Sequence, residues 1–223
     1  MKKCCFGVIL PAAGSGTRFG SDKLFYSLGG RPVLDRTVYS FQNAATVSCI
    51  VIVTRKESIN LVRELTSSYS KVIAVVEGGS TRGESVLRGV AALPDSVTHI
   101  SIHDGARPLI SPQEIDRLHG EAERYGAVCA GLPVYDTVQQ VDADGFIVAT
   151  PDRASLVAAA TPQIFEKDLY LSACRATAGQ NFTDDAGLVR AAGGRVKMVL
   201  CQCENFKITT PADARRAEAY YSE

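Results

Sequence analysis

The chain has 223 residues, 46% of them hydrophobic, and its 24 basic and 24 acidic side chains cancel to a net charge of +0. That length and apolar content predict one domain with a substantial core, and a balanced charge without a Lys/Arg run argues against a nucleic-acid-binding protein. Seven cysteines, an odd count with no C-x-x-C, read as reduced thiols of a cytoplasmic protein, and nothing resembles a signal peptide or an apolar stretch of membrane-spanning length.

Val8-Ile9-Leu10 reads as a buried strand that breaks into a loop of small residues, Pro11-Ala12-Ala13-Gly14-Ser15-Gly16-Thr17-Arg18, with Lys23 just beyond. Small side chains let a ligand approach successive backbone N–H groups, which bind anions, and two cations add charge to the same place. The loop is neither a dinucleotide fingerprint, since Phe19 holds the third glycine position, nor a Walker A loop, since neither Gly16 nor Gly20 is followed by Lys-Ser or Lys-Thr. It predicts a phosphate-binding loop of another kind, against the plainer reading of a strand-to-helix turn.

Val33, Leu34, Thr37, Val38 and Phe41 then recur at helical spacing, with Pro32 suited to a first turn. Residues 49–53 predict a second strand, Ser58 a cap for a helix carrying Ile59, Val62 and Leu65, and residues 72–76 a third strand. Gly78-Gly79-Ser80-Thr81-Arg82 follows, then a helix face of Val86, Leu87, Val90 and Leu93. Residues 100–102 form a strand running into His103-Asp104-Gly105-Ala106-Arg107-Pro108. Ser111-Pro112-Gln113-Glu114 is a capping-box signature, and residues 127–133 return as a strand.

This rhythm predicts an α/β fold, a mostly parallel sheet with helices on both faces. It breaks at residues 135–141 and 146–150, which read as a hairpin around Asp142-Ala143-Asp144-Gly145. A lone hairpin is marginal in water, so it should pack on something, and a second subunit suits it. Thr183 is the expected cap of a helix with Leu188 and Val189, Asp184-Asp185 fall in that helix's first turn, residues 196–200 are a strand, and Thr210-Pro211-Ala212-Asp213 opens the last helix.

Ligands of open parallel sheets bind beyond the carboxyl ends of the strands. The loops expected there, 11–23, 77–85, 103–108 and 205–210, hold Arg18, Lys23, Arg82, Ser85, Asp104, Arg107 and Lys207. Asp104 could hold Mg²⁺ against phosphate oxygens or cap the next turn. Arg107 could pair with Asp104 or grip a phosphate. Arg153 could be a solvated surface charge. His103 reads as a local hydrogen-bonding group rather than a catalyst, and Lys207 as a lysine inside a short strand at the ligand edge.

Taken in order, these motifs, with Asp136-Thr137, Thr161-Pro162-Gln163 and Lys207-Ile208-Thr209-Thr210-Pro211, resemble the 2-C-methyl-D-erythritol 4-phosphate cytidylyltransferases nearly end to end. The resemblance implies a Rossmann-like nucleotidyltransferase fold, a single domain over residues 1–223 and a homodimer formed through a β-arm at about residues 134–153. It implies Arg18, Lys23 and Lys207 as catalytic groups and a CTP site of Ala12, Ala13, Gly14, Gly16, Gly79, Ser80, Arg82 and Ser85. Asp104, Arg107, Thr137, Arg153, Thr161 and Lys207 would serve the sugar phosphate, with Thr137 and Arg153 reaching the neighbouring subunit's site and Asp104 binding Mg²⁺ or another divalent cation.

Three positions depart from the family pattern: Lys23 sits in Asp22-Lys23-Leu24-Phe25 rather than Pro-Lys-Gln-Tyr or Pro-Lys-Gln-Phe, Ser80 replaces an acidic residue, and Gly105 replaces alanine. The expected reaction is attack of a sugar-phosphate oxygen on the α-phosphorus of CTP, which needs alignment and charge neutralisation rather than a strong base. Alternatives are transfer to ribitol 5-phosphate on the same fold, a non-catalytic CTP-sensing module and, least favoured by Phe19, an NAD-binding domain.

Overall fold

The computed structural model describes residues 4–14, 19 and 22–221. Strand β1 (Phe6–Ala12) opens it, and its pleat sorts side chains between two layers: Val8 and Leu10 enter one core cluster and Ile9 the other, all fully buried. A short hairpin of β2 (Ser27–Leu28) and β3 (Arg31–Pro32) precedes α1 (Val33–Asn43). Pro32 sits just before this helix rather than in its first turn, and the expected stripe of Val33, Leu34, Thr37, Val38 and Phe41 is buried.

Strand β4 (Val47–Thr54) repeats the alternation, with Ile50 and Ile52 toward α1 and Cys49, Val51 and Val53 opposite. Helix α2 (Ile59–Leu65) buries Val62, but Ser58 makes no side-chain capping bond, because a 3₁₀ turn over Lys56–Ser58 leads into it. Strand β5 (Val72–Glu77) follows, then α3 (Arg82–Ala91), whose cap is the Thr81 hydroxyl accepting from the Glu84 N–H at 3.1 Å. Leu87, expected on the buried face of α3, is 41% exposed; Val86 and Val90 carry that face.

After β6 (His99–Ile102), Ser111 caps α4 (Pro112–Tyr125) at 3.2 Å. The reciprocal half of the expected capping box is replaced: Glu114 instead takes Arg117 at 2.7 and 2.9 Å and the Gln202 N–H at 3.0 Å. Strand β7 (Ala127–Pro133) has the expected bounds. The hairpin is shorter than expected, β8 (Gln140–Val141) against β9 (Ile147–Ala149), with the Asp142 carboxylate accepting from the Asp144 and Phe146 N–H groups.

Besides the short β2–β3 hairpin, two longer elements have no counterpart in the sequence expectation: β10 (Val157–Glu166) and α5 (Lys167–Ala176). Helix α6 (Asp185–Ala191) is capped by Asp184, one residue beyond the expected Thr183, through a 2.8 Å bond from the Gly187 N–H. Strand β11 (Lys197–Leu200) and α7 (Pro211–Glu218) complete the chain, the latter with a full capping box between Thr210 and Asp213.

The large sheet has the order β11-β7-β10-β6-β1-β4-β5. It is parallel except for β10, which runs antiparallel to both β6 and β7. A proline inside a run argues against a central strand. Here Pro162 is accommodated because the β10–β7 register jumps from Ala159 to Gln163. Helices α1, α2 and α4 cover one face and α3, α5 and α6 the other. Residues 135–150 are exposed throughout, including Tyr135 at 80% and Phe146 at 72%.

Gly89 brings α3 onto β1 and β4, where an added Cβ would fall 2.7 Å from Ile9 Cγ2 and 2.9 Å from a Val53 methyl. Gly89→Ala is expected to lower the unfolding free energy by about 1–2 kcal/mol, overpacking outweighing the roughly 1 kcal/mol gain in helix propensity. Urea unfolding read by circular dichroism checks this; a stabilised variant would show that the helix can slide outward at no cost.

Candidate active site

The parallel strands deliver their following loops to one edge, where a cleft of 330 Å³ opens. The end of β1 supplies Ala12, Ala13 and Gly14 as a floor without bulky side chains. The loop after β5 forms a wall that is closed on itself. The Gly79 N–H donates to Ser85 Oγ (3.0 Å), Ser85 Oγ donates to the Thr81 carbonyl (2.9 Å), and Ser80 donates to Glu84 Oε2 from both its N–H (2.7 Å) and its hydroxyl (2.6 Å). A side chain at position 79 would put its Cβ 2.3 Å from that of Glu84, so only glycine lets the wall close this way.

Among the described residues, three cations face the cleft: Lys23, Arg82 and Lys207. Lys207 Nζ is 2.9 Å from Asp104 Oδ2, and Arg107 Nε lies 3.5 Å from the same oxygen. Burial pushes the Asp104 carboxyl up, but Lys207, Arg107 and Arg82 outweigh it and hold it at about 2. Asp104 is therefore ionised at neutral pH. Lys207 does not lie in a strand as expected. Its segment is extended and fixed by the Ile208 N–H donating to the Ala106 carbonyl (2.8 Å), with Ile208 fully buried against α7.

The other expected residues take different places. Arg107 is 9% exposed and does not line the cleft; its Nη1 donates to the Asn205 carbonyl at 2.7 Å. Thr161, 4% exposed, accepts from the Asp104 N–H at 3.0 Å and lies 3.1 Å from His103 Nδ1. His103 Nε2 sits 3.1 Å from the Arg107 carbonyl. A carbonyl only accepts, so Nε2 carries the proton and Nδ1 takes the Thr161 hydroxyl. Burial lowers His103 to about 4, leaving a neutral, fully buried ring. Thr137 and Arg153 are exposed and away from this cleft, Arg153 donating to the Tyr135 carbonyl within the arm. Gly16 and Arg18 lie outside the described residues.

Asp185, read from sequence only as a first-turn residue, is 2% exposed and pairs with Arg82 Nη2 at 2.7 Å, while its other oxygen accepts from Tyr170 at 2.8 Å. Asn205, fully buried, donates to the Thr161 carbonyl at 2.6 Å. The one available signal was Asp184-Asp185 itself, since two aspartates at one helix start exceed what capping needs.

Among the described residues, no group of three or more His, Cys, Asp or Glu side chains is arranged to hold a metal, and Asp104 is the one carboxylate lining the cleft. A single ionised carboxylate fits Mg²⁺, which binds through one or two carboxylates together with substrate phosphate oxygens.

The depressed Asp104 value carries a sign for stability. The charged pairing contributes fully above the ordinary aspartate value of 3.8 and is lost as pH falls through about 2. Asp104→Asn is expected to lower stability at pH 7 by about 2 kcal/mol and to flatten the acid limb between those two pH values. Denaturant midpoints measured across that range check this; an unchanged acid limb would show that Asp104 titrates normally.

A family model described as "IspD: 2-C-methyl-D-erythritol 4-phosphate cytidylyltransferase" matches residues 6–223. Relatives carrying the name 2-C-methyl-D-erythritol 4-phosphate cytidylyltransferase include one from Desulforamulus reducens, 40% identical over 219 residues covering 95% of this chain and 94% of that protein. Another, from a Synechococcus strain, is 42% identical and covers 96% and 97%. Among solved structures, a 4-diphosphocytidyl-2C-methyl-D-erythritol synthase from Anaerococcus prevotii superposes with a TM-score of 0.88 at 29% identity over 100% of both chains. The cytidylyltransferase from Thermus thermophilus does so at 0.78 and 31% over 97% and 98%. A family model that fits from residue 6 to residue 223, together with relatives 40% and 42% identical over nearly their whole length, shows that the chain belongs to the 2-C-methyl-D-erythritol 4-phosphate cytidylyltransferase family.

Proposed function

We propose that the protein transfers CMP from CTP to 2-C-methyl-D-erythritol 4-phosphate, forming 4-diphosphocytidyl-2-C-methyl-D-erythritol and pyrophosphate. An oxygen of the sugar phosphate bonds to the α-phosphorus of CTP, and the bond from that phosphorus to the β-phosphate oxygen breaks. The observation that carries this reading is a cleft walled by close-approach glycines and lined by Lys23, Arg82 and Lys207 around one ionised carboxylate. The nearby imidazole, His103, is neutral and already bonded at both nitrogens. That suits a reaction whose nucleophile is already an anion, where the protein's task is alignment and charge neutralisation. Family membership favours this acceptor over ribitol 5-phosphate.

In this reading Ala12, Ala13, Gly14, Gly79, Ser80 and Ser85 receive the nucleotide, and Lys23 and Arg82 face the triphosphate, joined by Gly16 and Arg18 from the motif. Lys207 serves the acceptor phosphate, while Arg107 and Thr161, behind the cleft wall, hold and aim Asp104. Asp104 would hold Mg²⁺, which supplies further positive charge to the phosphate oxygens when bound. The arm completes the site in a homodimer: Tyr135, Phe146 and Ile147 expose apolar surface that a second copy would cover, and Thr137 and Arg153 ride on the same arm. A cytoplasmic setting is supported by seven free cysteines. Among the described residues, no helix is long and apolar enough to cross a membrane.

Incubation with each of four nucleoside triphosphates and both sugar phosphates is expected to release pyrophosphate with CTP and 2-C-methyl-D-erythritol 4-phosphate alone. Lys23→Ala is expected to lower kcat by roughly a hundred- to a thousandfold with an unchanged melting temperature; near-normal turnover would remove Lys23 from the mechanism. Phe146→Asp together with Ile147→Asp is expected to yield a folded monomer by sedimentation with greatly reduced turnover. A fully active monomer would refute the role of the arm.

A further inference from the structure

Lys23 is held on a turn whose two sides are anchored differently. Downstream, the turn is stitched into the core. Leu24 is 4% exposed, its carbonyl accepts from the Leu34 N–H at 3.0 Å, and the Tyr26 carbonyl accepts from the Val33 N–H at 3.0 Å. Upstream, Asp22 closes the turn. Its carbonyl accepts from the Phe25 N–H (3.1 Å), its Oδ1 accepts from the Leu24 N–H (3.2 Å), and its Oδ2 pairs with Arg55 Nη2. Arg55 directly follows Thr54, the last residue of β4. Thr54 is itself fixed to both neighbouring walls of the cleft, its hydroxyl donating to the Ala12 carbonyl (3.3 Å) and its carbonyl accepting from the Gly78 N–H (2.8 Å).

Neither Asp22 nor Arg55 lines the cleft. An anion beside a lysine that meets a polyphosphate opposes the ligand electrostatically, so its presence calls for another task. A pair with side chains 26% and 32% exposed contributes little to global stability. Its leverage lies in geometry, because displacement of a catalytic group by about 1 Å can cost on the order of a hundredfold in rate. We infer that Asp22 and Arg55 are positioning residues, tying the Lys23 turn to the end of β4 so that the lysine is delivered to the cleft already aligned.

This rests on the reading of Lys23 as a triphosphate-binding catalytic group, and the test separates the two. Asp22→Asn keeps an acceptor for the Leu24 N–H and removes the charge, while Arg55→Met keeps the stem and removes the guanidinium. Each is expected to lower kcat about tenfold while changing KM for CTP by less than about threefold and leaving the melting temperature within a few degrees. The double variant is expected to be no worse than either single one, as for two groups acting as a unit.

Without nucleotide, amide exchange at Leu24 and Phe25 is expected to quicken about tenfold in both variants. A lowered KM with unchanged kcat in Asp22→Asn would overturn the inference, since a bare surface charge behaves that way. So would a raised KM confined to Arg55→Met, which would make Arg55 a phosphate ligand. Unchanged exchange at both amides overturns it whether or not the wild type turns over. Absence of pyrophosphate from the wild type would instead defeat the functional reading, and exchange alone would then decide the inference.

Discussion

A carboxylate lodged at the end of a buried strand loses most of its hydration, and Asp104 is tolerated there because two cations face it from different parts of the chain. Lys207 comes from the segment before the last helix and Arg107 from the same loop three residues on. The Asp104 N–H is meanwhile held by Thr161, on a strand that runs against the rest of the sheet. One charge thereby draws together three segments widely separated in sequence. The cleft takes its shape from this meeting, because each partner brings a stretch of backbone to the same edge.

The same logic recurs around the cleft. Among the described residues, two of its cations are each matched by a carboxylate, Lys207 by Asp104 and Arg82 by Asp185, and Lys23 rides on a turn whose own aspartate is paired with Arg55. Preorganised charges of this kind need no reorientation as negative charge develops, which is where electrostatic catalysis gains most. Asp185 in turn sits at the start of α6 beside Asp184, which accepts from Gln163 Nε2 at 2.9 Å, two residues along β10 from Thr161. The walls around Arg82 and Asp104 are thus linked through a single strand.

Much of this was legible in the sequence. The alternating apolar runs of β1 and β4, the caps at Thr210 and Ser111, and the turn chemistry of Asp142 to Gly145 are local patterns, and local sterics and hydrogen bonding decide them. The described parts of the four polar loops expected at one edge do meet there, and Ala12, Gly79, Arg82, Ser85, Asp104 and Lys207 share one cleft. The misses share a different character. Strand β10 carries a proline and three successive alanines that interrupt its strand-forming residues, so its pattern does not announce a central strand, and its place depends on β6 and β7 accepting it from either side.

The chain's own residues therefore determined most of the strands and helices to within a residue or two, and which loops carry charge. The tertiary structure alone decided that Arg107 and Thr161 stand behind Asp104 rather than on the cleft wall, that Asp185 holds Arg82, and that Asp22 holds Arg55. The physical reason is that a helix or a turn is settled by neighbours within a few positions, whereas the partner of a buried charge is chosen by whichever distant segment the sheet order brings within about 3 Å.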